Sequence, residues 1–64
     1  DPSIGDTVAK AYFDLGQLDK AVATQERVVE QVAGTELENE PGFKKRLRQY
    51  KRALEASKDE APKK

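Results

Sequence analysis

The stretch Val8–Val32, VAKAYFDLGQLDKAVATQERVVEQV, decides the fold of this chain. Its apolar residues recur at helical spacing on both sides of one glycine, Gly16. Counting in the residues just upstream, Ile4, Val8, Ala11, Tyr12 and Leu15 make one stripe, with the period of a helix face and not of a strand. Beyond the glycine, Leu18, Ala21, Val22, Val28, Val29 and Val32 make a second. Gly16 stands where a left-handed residue ends a helix at least cost, since it has no Cβ to clash. The spacing predicts helices over Ser3–Leu15 and Leu18–Val32, with Asp1 as a cap and Pro2 suited to a first turn. So short a connection forces the two helices antiparallel and into contact. The valines of the second helix are β-branched, so packing must hold it more than intrinsic propensity does.

Outward from this hairpin, Ala33–Gly34 reads as a stop and TELENE, residues 35–40, as an acidic linker. Pro41 sits where a first-turn proline belongs, capped by Asn39 or Glu40. Phe43, Leu47, Tyr50 and Leu54 then form a third stripe, predicting a helix over 41–57 that covers the hairpin. Residues 58–64 carry no apolar pattern and read as a frayed tail. The expected class is all-α: a helical hairpin over 1–34, a linker over 35–40 and a third packing helix. The expected core is Ile4, Val8, Ala11, Tyr12, Leu15, Leu18, Ala21, Val22, Val28, Val29, Val32, Phe43, Leu47, Tyr50 and Leu54.

Sixty-four residues make one small domain. A core of that size supplies only about 3–5 kcal/mol, and small domains add a disulfide, a metal or a neighbour. With no Cys and no His, disulfides, Cys/His zinc sites and Cys or His nucleophiles are excluded. A neighbour is the expected support, either the rest of a parent chain or a second copy. The opening DPSIGD, with neither Met nor a basic-then-apolar leader, reads as a piece of something longer. No apolar run approaches the length of a membrane span.

The zero net charge hides a division. Residues 1–40 hold nine carboxylates against three cations, net −6, and residues 41–64 hold the reverse, net +6. Such halves attract, within a chain or between chains, or they stand as two separately solvated faces. Helix three carries a basic face of Lys44, Lys45, Arg48, Lys51 and Arg52. That face reads first as solvated or as paired with the acidic half, and it could also track a phosphate backbone or an anionic surface. A DNA-binding helix-turn-helix fits less well, because the second helix sets Asp19, Glu26 and Glu30 against Lys20 and Arg27, the wrong balance beside phosphates.

No catalytic constellation stands out. Asp6, Lys10 and Asp14 fall at i, i+4 and i+8, a ladder that reads as exposed ion pairs of about 0.2–0.5 kcal/mol each. A catalytic pair would need an enclosing cavity to shift its pKa values. Glu36, Glu38 and Glu40 lack the ligand spacing and sharp glycine turn of a calcium loop. No glycine-rich phosphate loop is present. No enzyme activity, cofactor or metal is expected.

The run Val8-Ala9-Lys10-Ala11-Tyr12, followed by Gly16 at the turn and Ala21 early in the second helix, resembles the tetratricopeptide repeat. That family carries Leu-Gly-x-x-Tyr in its first helix and small residues at the turn and at the helix crossing. The resemblance covers about half the chain and departs at four positions. The family's early Trp falls on Gly5, its second-helix aromatic on Gln25, a small residue on Val28 and its closing Pro on Ala33. The segment QYKRALEAS is similar to the end of a family second helix, yet a shift of one repeat places Gly42 on Val8 and Arg46 on Tyr12. Helix three is therefore expected to be a terminal capping helix of an α-solenoid fragment.

The resemblance implies a protein or peptide partner held in a groove lined by first helices. Asp6, Lys10, Phe13 and Asp14 would be the groove-facing residues, with Phe13 as apolar anchor or as a packing residue against a preceding repeat. The Lys/Asn carboxylate clamp of chaperone-binding members is not visible, since its positions fall on Asp6 and Lys10. The expected function is protein–protein association. Alternatives are a structural or oligomerising appendage of an upstream enzyme domain, and a basic helix for nucleic acid or anionic surfaces.

Overall fold

The computed structural model describes residues 2–59. Helix α1 spans Pro2–Asp14, α2 spans Leu18–Val32 and α3 spans Pro41–Asp59, with a short 3-10 turn at Glu36–Asn39. There is no strand among the described residues. Helix α1 packs on α2, and α2 packs on α3. The fold is all-α, a helical hairpin with a third helix against its second member.

Gly16 makes the hairpin. It adopts φ +83°, a conformation that an L side chain resists. Its N–H donates to the Phe13 carbonyl at 3.0 Å, and the Gln17 N–H reaches back to the Tyr12 carbonyl at 2.9 Å. These two bonds help to pair the carbonyls of the last turn of α1, where the Tyr12 carbonyl also accepts from the Leu15 N–H at 3.1 Å. The acidic segment is more ordered than a plain linker. Gly34 turns the chain at φ +82°, and the Thr35 hydroxyl accepts from the Leu37 N–H at 3.1 Å. The Glu38 carboxylate accepts from the Gly34 N–H at 3.1 Å. Helix α3 begins at Pro41 and runs on to Asp59, two residues past the expected end at Ser57. The expected cap Asp1 and residues 60–64 of the expected tail lie outside the described residues.

The expected face of α1 is corrected. Ile4 is 64% exposed and Leu15 70% exposed, and Val8 and Ala11 are exposed as well. The helix instead turns Gly5, Ala9, Tyr12 and Phe13 inward, with Ala9 fully buried. The reason is steric. A Cβ added at Gly5 would lie 2.7 Å from Val28 Cγ2, so the backbones cross too closely for large side chains at that level. Ala21, Val28 and Val32 of α2 and Tyr50 of α3 are buried as expected. Leu18, Val22, Val29, Phe43, Leu47 and Leu54 are half-buried around them. Gln25, absent from the expected core, is fully buried.

Gly5→Ala tests the crossing. Alanine gains about 1 kcal/mol of helix propensity, but overpacking against a stiff β-branched valine costs about 1–3 kcal/mol. The expected outcome in thermal melts is net destabilisation of about 1 kcal/mol. In a Val28→Ala background the same change should become stabilising, a reversal that a double-mutant cycle reads directly.

Candidate interaction surfaces

The groups expected to meet a partner are built on α1 and α3, and the structure gives several of them partners inside the chain. At the centre is Gln25. It occupies an apolar-stripe position of α2, with Ala21 four residues before it and Val28 three after. Its Nε2 donates to Asp6 Oδ1 at 2.9 Å and to the Phe43 carbonyl at 3.0 Å. The other oxygen of Asp6 accepts from Arg46 Nη1 at 3.0 Å. One amide thus joins all three helices, and a carboxylate held by both an amide and a guanidinium gains charge-assisted bonds. Gln25 Oε1 is buried with no hydrogen-bond partner. Reversing the amide would point that oxygen at two acceptors, so the orphaned position is the less costly one.

Phe13 lies beside this network. Its ring stacks on Tyr50 with centroids 4.7 Å apart and planes inclined by 25°, an arrangement contributing about 0.5–1.5 kcal/mol beyond burial. Its aromatic contact is therefore within the chain. Burial raises the Tyr50 phenol above its ordinary 10.0, an effect partly offset by the Arg46 charge. Lys10 and Asp14 form an exposed ion pair at 3.0 Å. Together Asp6, Thr7, Lys10, Ala11, Asp14 and Arg46 line an open groove of about 460 Å³ between α1 and α3. The groove brings together three of the four residues expected to face a partner, Asp6, Lys10 and Asp14, with Asp6 committed to Gln25 and Arg46.

Among the described residues, the opposite charges of the two halves meet at two points, Arg46 with Asp6 and Lys51 with Glu26 at 3.6 Å. The second pair is half exposed and adds little. Lys44, Lys45, Arg48 and Arg52 remain exposed on the outer side of α3, and none has a carboxylate at ion-pair distance among the described residues.

A third surface, the apolar stripe Ile4, Val8, Ala11 and Leu15 on α1, is open to solvent. Among the described residues, no group of three or more acidic side chains is arranged to hold a metal ion, and no helix is long and apolar enough to cross a membrane. Neither Gln25 nor Arg46 stands out in the sequence as a residue that ties the helices together. A lone glutamine on an apolar stripe was the available signal, but its partners lie 18 and 19 residues away. No family model, curated protein or solved structure matches this chain.

Two outcomes follow from the network. Gln25→Leu removes the amide donor shared by Asp6 Oδ1 and the Phe43 carbonyl, and loss of about 1–3 kcal/mol is expected in urea unfolding. Because the folded state favours the protonated Tyr50 phenol, its stabilisation is present below the ordinary tyrosine pKa and is lost as pH rises through the raised value. An alkaline titration following absorbance at 295 nm (an ordinary phenolate wavelength) together with helicity should show unfolding coupled to that ionisation, and Tyr50→Phe should weaken the coupling.

Proposed function

We propose that the chain is a tetratricopeptide-like helical unit that serves protein–protein association and has no catalytic role. The observation that carries this reading is the α1 stripe. A helix whose inner face is already committed to α2 holds Ile4, Val8, Ala11 and Leu15 outside, an arrangement that supports an interaction site over a solvated surface. The positions that the family fills with small residues at its crossing, Ala9 and Ala21, are both fully buried. At the departures, Gly5 and Val28 are mutually fitted, and Gln25 is turned to polar contacts with α1 and α3.

The occupant of the stripe is a helix like α2. Helices α1 and α3 both start at a proline and carry matching stripes, Ile4, Val8, Ala11 and Leu15 against Phe43, Leu47, Tyr50 and Leu54, offset by 39 positions throughout. Helix α3 packs on α2, so α1 has a stripe of the same register ready for a helix of the same kind. A second copy cannot offer its own α2 without unfolding, because that helix is held by α1 and α3. Stripe-to-stripe pairing of two 13-residue helices would fall short of the roughly 1,000 Å² of a stable interface. A neighbouring helical hairpin, such as a preceding unit of the same array, meets the requirement.

A tandem chain tests this. Residues 2–40 are placed directly before residues 2–64, so that one unit's α2 leads into the next α1 as it now leads into α3. Burying the stripe should stabilise the downstream unit by about 3 kcal/mol and raise its melting temperature by upwards of about 12 °C. Ile4→Glu with Leu15→Lys in the downstream α1 should abolish the gain. In the single chain the same pair should change stability by under about 0.5 kcal/mol, being exposed and matched to the helix dipole. A tandem that melts like the single chain would overturn the reading.

A further inference from the structure

The outer face of α3 is left without a role by association through α1. Lys44, Lys45, Arg48 and Arg52 are exposed there, while Arg46 and Lys51 are turned to Asp6 and Glu26. Gln49 lies with Lys45, Arg48 and Arg52 along one shallow groove, and Glu55 borders Arg48 and Arg52 at the far end. We propose that this face binds the phosphate backbone of a nucleic acid without reading its sequence.

The choice of partner follows from what the face lacks. The apolar residues of α3, Phe43, Leu47, Tyr50 and Leu54, are half-buried or buried, so no large apolar side chain is left to anchor a protein interface or enter a lipid layer. Affinity must then come from counterion release, which needs a partner of high linear charge density. From Lys44 to Arg52 the helix rises about 12 Å, the axial span of three to four phosphates on one strand at about 3.4 Å each. Four cations face that length, and the Gln49 amide adds a neutral donor for a phosphate oxygen. Nothing on the face is arranged to discriminate base edges. The neutral chain and Glu55 keep the attraction local and strongly dependent on salt.

The test is fluorescence anisotropy of a labelled 20-base-pair duplex titrated with the full chain at several salt concentrations. Binding should be insensitive to duplex sequence. The slope of log affinity against log salt should be no steeper than about −3.6, so affinity should fall about a hundredfold between 50 and 200 mM. The variant Lys44→Gln, Lys45→Gln, Arg48→Gln, Arg52→Gln should keep its helicity and melting temperature and lose at least about tenfold in affinity at 50 mM salt. Lys44→Arg with Lys45→Arg should bind as the parent does. No binding at low salt, or binding untouched by the fourfold change, would overturn the proposal. So would tighter binding to polyglutamate or to phosphatidylserine vesicles than to the duplex, which would reassign the face to an acidic protein or a membrane.

Discussion

The fold depends on how closely α1 and α2 can approach. Gly5 and Ala9 on one helix meet Ala21 and Val28 on the other, and at the tightest point even a methyl group at Gly5 would strike Val28. Closeness there decides which way α1 is rotated about its axis. The small residues must face inward, so the larger Ile4, Val8 and Leu15 face outward. A crossing built from larger side chains would space the helices further apart and could bury that stripe. The exposed apolar stripe is thus a by-product of the packing that holds the hairpin together.

The third helix is attached by different means. Its stripe of Phe43, Leu47, Tyr50 and Leu54 supplies apolar burial against α2, but the contacts reaching across to α1 are more specific. Tyr50 stacks on Phe13, and Arg46 reaches Asp6, whose other oxygen is held by Gln25. A buried amide bonded to both neighbours specifies how three helices fit in a way that apolar contact alone does not. The orphaned Gln25 oxygen is the cost of that arrangement. These contacts also account for Phe13 and Asp6, two of the residues that a likeness to groove-binding repeats implies for a partner.

The charge division has a comparable split. Two of the cations of the basic half are turned inward to carboxylates of the acidic half, across α1–α3 and α2–α3. Lys44, Lys45, Arg48 and Arg52 stand on the outer side of α3, with no carboxylate at ion-pair distance among the described residues. Neutrality of the whole chain therefore coexists with a cationic strip on one helix and an apolar stripe on another.

Helix number, order and connection were readable from the chain itself, because they rest on local rules: a period of 3.6, a glycine able to turn left-handed, a proline at a helix start. Val28, Val32, Ala21 and Tyr50 were placed in the core on the same grounds. The rotation of α1 was not readable, since Ile4–Leu15 and Gly5–Phe13 trace two stripes on one helix and the larger one looked like the core. Size is a poor guide where two backbones nearly touch, and that distance belongs to the pair of helices, not to either sequence. For the same reason Gln25 looked like a departure from a pattern until Asp6 and the Phe43 carbonyl, distant along the chain, were brought within 3.0 Å of it.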